Sequence, residues 1–315
     1  MRECAMKKYM ITRIIHLIPI LLGITILAFL LIHTGNTDVV DVMETSRGTA
    51  MTEEQKDALR EQLGLDEPLP VQYLDWMKGA LTGDMGTSMV SGKPVRQIFR
   101  QKLPATIQLA VISILLTIVV SIPLGVLAAI KKGSLTDHVI CGIGFIGNSM
   151  PNFFVGLLLL YFFALKLGWF PVIAGADSRT GVVLPAATLA IAMTSKYTRQ
   201  VRAAVLEEWN QDYVTGARAR GIGEGRILIF QVLRKAMLTM ITLFALSAGS
   251  LLGGTAVVET IFQWDGVGKM AVDAITMRDY PVILAYVVWM AGIYVLLNLF
   301  ADLLYALLNP KIRRG

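Results

Sequence analysis

Residues able to do covalent chemistry are few in this chain and poorly spaced for it. The three histidines, His16, His33 and His138, are scattered and form no obvious common site. Metal ligation by this chain alone therefore has little support. Cys4 precedes the first apolar stretch and Cys141 lies in a later one, so two free thiols are expected rather than a disulfide. No His-Glu-x-x-His, Gly-x-Ser-x-Gly or paired-cysteine pattern occurs, which removes the usual hydrolytic signatures. A phosphate-binding Gly-x-x-x-x-Gly-Lys-Ser/Thr loop is also missing. Gly92-Lys93 and Gly268-Lys269 lack both the upstream glycine and the following hydroxyl. If the protein uses ATP, another chain must bind it.

Gly142-Ile-Gly-Phe-Ile-Gly147 fits the dinucleotide spacing, but it sits in an apolar stretch with no strand before it. Small residues that let helices approach closely explain it better. The same reading suffices for Gly249-Ser-Leu-Leu-Gly253 and Gly254.

The chemistry that remains is contact and passage. Asp212, Tyr213, Val214, Thr215, Gly216, Ala217, Arg218 and Gly221 belong to a basic, small-residue segment held between hydrophobic stretches. A short helix here, then a glycine turn at 221–225 and a second short helix, would project from a membrane. Its Gly216, Ala217, Ala219 and Gly221 offer a low profile suited to close protein contact; a lipid-surface helix would need larger apolar anchors. A second set is Asn148, Ser149, Met150, Pro151 and Asn152, which interrupts an apolar stretch. Proline removes a backbone hydrogen bond, and polar groups at membrane depth line a cavity or a protein contact. A packing kink is the competing reading. Glu259 and Asp302 are carboxylates in or near apolar stretches. Such charge is costly and marks function unless it reaches an interface. Glu259 joins the pathway candidates; Asp302 is expected to pair or reach the cytoplasmic interface.

These residues must be positioned by membrane helices. The composition is 55% hydrophobic and 17% charged, against about 25% charged in soluble domains. Six apolar stretches are expected to span the membrane, at 14–32, 106–130, within 139–165, within 182–193, 237–258 and 282–308. Each must be helical, because unpaired backbone groups are too costly in lipid. Pro123 and Pro185 are expected to add kinks. Basic residues precede the first stretch, but no small-x-small cleavage site follows it, so an uncleaved anchor is expected.

Lys and Arg concentrate at the N-terminus, at 131–132, at 196–235 and at the C-terminus, which puts both termini in the cytoplasm. The net charge of +6 is thus orientation chemistry, not a nucleic-acid footprint. Lys93, Arg96, Arg100 and Lys102 fall on the outer side and resist this pattern, although long loops translocate largely regardless of charge. In the outer loop, Thr52 before Glu53, Glu54 and Gln55 reads as a helix start, and Gly64 closes it. Pro68 and Pro70 then break the chain, and 71–81 reads as a second amphipathic helix. Gly83, Gly86 and Gly92 mark turns. The expected organisation is an N-terminus and first span at 1–32, an extracytoplasmic loop at 33–102, a core at 103–308 with the contact segment at 207–235, and a tail at 309–315.

At the contact segment the chain resembles the permease subunits of ATP-binding-cassette importers, in the dipeptide, oligopeptide and nickel group. That family carries a Glu-Ala-Ala-x-x-x-Gly motif in the corresponding loop. Here the stretch is Thr215-Gly-Ala-Arg-Ala-Arg-Gly221: Ala217 and Gly221 match, while Thr215 and Gly216 depart in a way that looks typical of the peptide and nickel branch. Pro104-Ala-Thr, Pro123-Leu-Gly125, Ser149-Met-Pro-Asn-Phe153, Glu259-Thr-Ile-Phe262 and Arg278-Asp-Tyr-Pro-Val282 are similar to that branch too, and the likeness extends over nearly the whole chain.

The resemblance implies an all-α polytopic fold of the type I importer permease kind, in a bacterial or archaeal cytoplasmic membrane. It implies a homologous second permease in a heterodimer, two cytoplasmic ATPases that carry ATP and Mg, and an extracytoplasmic binding protein. No cofactor and no catalytic residue are expected in this chain. Its cargo would be di- or oligopeptides, or nickel, free or chelated. The alternative is a secondary transporter or channel without an ATPase, which six spans alone would equally allow.

Overall fold

The computed structural model describes residues 18–31, 40–41, 44, 50–62, 64–175 and 180–308. His16, His33 and Cys4 lie outside them, as do the basic residues at both termini. Among the described residues the chain is helical, with one isolated bridge between Thr87 and Pro94. The helices are α1 (Ile18–Leu31), α2 (Glu53–Gln62), α3 (Leu69–Thr82), α4 (Val95–Ile130), α5 (Leu135–Ser149), α6 (Asn152–Leu159), α7 (Val183–Trp209), α8 (Asp212–Ala219), α9 (Glu224–Ile227), α10 (Leu233–Phe262), α11 (Val267–Met277) and α12 (Tyr280–Leu308). Wider π turns follow α6 (Leu160–Lys166) and α9 (Leu228–Val232).

Each expected span has a helix at its place. Among the described residues three stretches are individually long and apolar enough to cross a membrane: Val95–Ile130, Glu224–Ala245 and Tyr280–Leu303. Ile18–Leu31 is apolar but shorter within the described residues. Helix α7 is apolar only in its first half, then carries Lys196, Arg199 and Arg202. The third expected span is two helices, α5 and α6 with its π turn, which meet at 102°.

The chain divides into two compact units. The first comprises residues 1–106 and 265–295. Its core joins Met85, Val95, Phe99, Val267, Met270, Ala274, Val282 and Ala285, with the Phe99 and Trp289 rings 4.2 Å apart. The helix start expected at Thr52 is present and takes the form of a capping box: Gln55 N–H donates to Thr52 Oγ1 (3.4 Å) and Thr52 N–H to Gln55 Oε1 (3.0 Å). Gly64, Gly83, Gly86 and Gly92 all have positive φ, in keeping with turns.

Helix α4 begins at Val95, inside the stretch expected to be outer loop. At 36 residues it is about 54 Å long, well beyond the roughly 30 Å hydrocarbon core. The basic residues before the second span are therefore mostly the polar end of that helix, and Lys102 pairs with Asp265. Hydropathy marks where lipid begins, not where the helix begins. Helix α11 was likewise not expected; the sequence suggests only a short outer loop there.

The second unit comprises residues 107–264 and 296–315. In it α7 is central: α5, α6 and α10 all pack against it. The close approaches run through glycines. A Cβ on Gly125 of α4 would lie 2.6 Å from Val201 Cβ and 2.7 Å from the Thr198 carbonyl of α7. One on Gly147 of α5 would lie 2.3 Å from Ser195 Oγ, and one on Gly144 3.3 Å from the Ser195 carbonyl. The helix-packing reading of the 142–147 stretch thus holds for its second and third glycines. Pro185 falls in the first turn of α7, where its missing N–H costs no helical hydrogen bond, so it gives no kink of the expected kind.

Candidate functional site: an anchored helix and a broken span

Helix α7 stops at Trp209, and extended Gln211 starts the eight-residue α8. Val214 and Ala217, three apart, share one face. Both are fully buried, in a cluster with Val201, Val205, Ile227, Val232 and Met240. On the other side Asp212, Thr215, Gly216 and Ala219 are exposed. The helix ends in a Schellman cap: Gly221 N–H donates to Arg218 O (2.9 Å) and Ile222 N–H to Ala217 O (3.2 Å). Gly221 has φ +75°, which explains the glycine, and a side chain there or at Gly216 would meet nothing within 4 Å.

Polar contacts fix the flanks. The Tyr213 hydroxyl donates to Glu208 Oε2 (2.8 Å), and Lys235 Nζ lies 3.3 Å from the centre of the Tyr213 ring. Burial first, then the hydrogen bond to the Glu208 carboxylate, push the Tyr213 phenol well above its ordinary range. Arg218 donates to both oxygens of Glu224 (2.7 and 3.2 Å) and lies over Trp209. That pair raises Arg218 and holds the Glu224 carboxyl below its ordinary value.

This geometry corrects the contact list. Val214 and Ala217 are anchors inside the molecule and cannot touch a partner. Tyr213 is half-buried and serves the same end. The surface is left to Asp212, Thr215, Gly216, Arg218 and Gly221, joined by Ala219. The low profile comes from exposed Gly216 and Ala219, not from Ala217.

At the break, Met150 is extended (φ −84°, ψ 133°) and Pro151 caps α6 (φ −62°, ψ 139°). Proline excludes the residue before it from helical geometry, so α5 ends rather than bends. The expected kink is instead a change of helix. Asn148, Ser149, Pro151 and Asn152 are exposed, and Ser149 Oγ donates back to Phe145 O (2.9 Å). Glu259 does not share that exposure. It is fully buried in α10, with its carbonyl accepting from Trp264 N–H (2.8 Å). It is therefore an internal carboxyl group and not part of the exposed break.

Sequence reasoning missed the ion pair that joins α5 to α7. Arg202 Nε and Nη2 donate to the two oxygens of Asp137, each at 2.7 Å. Asp137 is nearly buried and also accepts from Gly133 N–H (2.9 Å) and Cys141 Sγ (3.5 Å). The pattern Ser134-x-x-Asp137 signals a helix start, and Ser134 Oγ does accept from Asp137 N–H. Nothing local points to a partner 65 positions away.

The outer helices carry a second arrangement. Asp279, buried between α11 and α12, accepts from Ser88 Oγ (2.5 Å) and Met89 N–H (3.1 Å). Tyr73 and Trp76 of α3 pack against Phe29 of α1, and the Tyr73 hydroxyl bonds Thr25 Oγ1 (2.9 Å). The exposed apolar residues of α3 are Leu69, Val71, Leu74 and Leu81.

A family described as "Binding-protein-dependent transport system inner membrane component" matches residues 121–314, and its N-terminal companion family matches residues 6–110. The chain belongs to this family. It is 40% identical to the oligopeptide transport system permease protein AppB of Bacillus subtilis, over 98% of this chain and 99% of that one. It is 38% identical to the glutathione transport system permease protein GsiC of Salmonella typhimurium, over 98% and 99%. It is 36% identical to the probable peptide ABC transporter permease protein y4tP of Sinorhizobium fredii, over 98% and 100%. A solved structure of the MetNI methionine ABC transporter in an inward-facing conformation aligns with a TM-score of 0.55 at 16% identity, covering 68% of this chain and 97% of that chain. That likeness speaks to the fold alone, which is that of an importer permease.

As a permease of the binding-protein-dependent class, the chain is the membrane component of an ATP-driven importer, a multi-pass inner-membrane protein that works with ATPase subunits and a substrate-binding protein. The relatives do not favour a secondary transporter or channel.

Proposed function

We propose that this permease carries peptides inward as one half of a heterodimeric pathway. Its exposed α8 face, Asp212, Thr215, Gly216, Ala219 and Gly221 with Arg218 beside them, receives one of two cytoplasmic ATPases, which hold the ATP and Mg. The polar break at Asn148, Ser149, Pro151 and Asn152 borders the pathway, with Met150 at its edge. The outer helices meet the binding protein, and both termini lie in the cytoplasm.

The observation that carries this reading is the division of α8. Two buried apolar anchors tie it to the cluster formed with α7, while its outer face is polar and small, so a partner can seat on that face without displacing the anchors. The oligopeptide, peptide and glutathione permeases among its relatives support peptide cargo. Nickel is the competing cargo. Calorimetry on the partner binding protein separates them: a di- or oligopeptide, or glutathione, should bind, and nickel binding without any peptide binding would overturn the cargo assignment. Cross-linking from cysteine at Gly216 to an ATPase subunit tests the contact face; reaction confined to the outer binding protein would refute both the face and the orientation.

A further inference from the structure

Helix α5 is tied to α7 at two levels. Above, Gly144 and Gly147 let α5 lie directly against Ser195. Below, the Asp137 carboxylate takes both prongs of the Arg202 guanidinium while also accepting the Gly133 N–H that leads into α5. A bidentate, largely buried pair of this kind fixes orientation as well as distance. Arg202 lies in the half of α7 that runs without interruption to Trp209, and α8 follows after Asn210 and Gln211. The same half of α7 supplies Val201 and Val205 to the cluster that anchors α8. At its far end α5 stops at the exposed Ser149–Pro151 break, whereas α6 beyond it has its own close contact with α7 through Gly156 and Thr188.

We propose that Asp137 and Arg202 are positioning residues for transport: they lock α5 to the α7–α8 arm, so that displacement of α8 is delivered to the Ser149–Pro151 break. Without the clamp, α5 is held to α7 by side-chain packing alone, with its closest approach at Ser195, and can slide. A packing interface resists separation better than it resists sliding, whereas a two-pronged ion pair resists both. The proposal rests on the importer reading of α8. It does not depend on which cargo is carried, because the test uses whatever the partner binding protein is found to bind.

The test uses the whole importer in liposomes: this chain with its second permease, its ATPases and its binding protein. Asp137→Asn and Arg202→Gln should leave the ATPases bound and hydrolysing, while uptake per ATP falls about tenfold, the scale of a typical coupling between sites. Arg202→Lys keeps the charge without the fork and should fall between these variants and the parent. A second readout follows a cysteine at Ser149 with Cys4→Ser and Cys141→Ser. Its reaction with a small polar thiol reagent should change rate between nucleotide-free and nucleotide-trapped states in the parent, and should lose that change in Asp137→Asn.

Uptake and hydrolysis falling in parallel, or variants that no longer assemble, would assign the pair to folding and overturn the proposal. So would a nucleotide-dependent change in thiol reactivity that survives the loss of the clamp. A parent complex whose ATPases do not bind this chain would count against the α8 reading instead.

Discussion

Two chain reversals in this permease are held in opposite ways. At α7–α8–α9 the fastening is apolar: Val214 and Ala217 are inserted into a hydrophobic cluster, and polar groups face out. At α11–α12 the fastening is polar: the buried Asp279 carboxylate gathers a hydroxyl and a backbone N–H from the 88–89 turn. Burial of apolar surface is non-directional and tolerates small shifts. A buried carboxylate is directional and costly to leave unpaired. The first design suits a segment that must be stiff internally yet free to meet another protein. The second suits a corner that must keep one geometry.

The comparison can be broken most severely at Val214. Val214→Asp would bury an unpaired carboxylate and expel α8, at a cost of at least about 3 kcal/mol. The expected result is a permease that no longer retains its ATPases on co-purification. Asp279→Ala is next: it strips the Ser88 hydroxyl and the Met89 N–H of their acceptor and should cost about 2–4 kcal/mol. Its thermal midpoint in detergent should drop while ATPase binding persists, since α8 is untouched.

Val214→Ala sharpens the contrast, because it removes apolar volume without adding charge. A loss of roughly 1–2 kcal/mol is expected, with assembly retained. Gly221→Ala should cost about 1 kcal/mol, all of it backbone strain at positive φ, since the added methyl meets nothing. Gly221→Trp has the same backbone cost but adds bulk on the exposed side, so a transport defect beyond that of the alanine variant would report partner contact.

The smallest effect concerns pH. The Glu224 carboxyl is depressed by Arg218, so its contribution is complete above the unfolded carboxylate value of about 4.3 and is lost as pH falls through the lower folded value. Melting curves of Glu224→Gln and the parent should keep the same offset from pH 6 to 8 and converge only in acid.

Much of this was legible in the residues. The apolar stretches announced membrane helices, because lipid leaves the backbone no alternative. Thr52-x-x-Gln55, Gly64 and Gly83 announced the ends of α2 and α3, since caps are local chemistry. The segment 212–221 announced a short helix ending in a glycine turn. Its division was less plain: periodicity offers Val214 and Ala217 as one face, yet their sequence neighbours are polar and the cluster they enter comes from Val201, Val205, Ile227 and Val232. Pro151 signalled a disturbance, but only the backbone on both sides decided that it separates two helices at 102°.

What the sequence determined by itself is thus whatever depends on a few neighbouring residues: helix type, caps, turns, hydropathy and the family likeness. The tertiary structure alone decided which charges are internal and with whom they pair. Asp137 finds Arg202 across 65 positions and Asp279 finds Ser88 across 191. Glu259 reads as a candidate for the pathway until the helices around it are placed and bury it. Such pairings depend on which helix faces come together, and helix faces are brought together by Gly125, Gly144 and Gly147 through the absence of side chains. An absence has no chemical preference of its own, and its meaning appears only when the neighbouring helix fills the space.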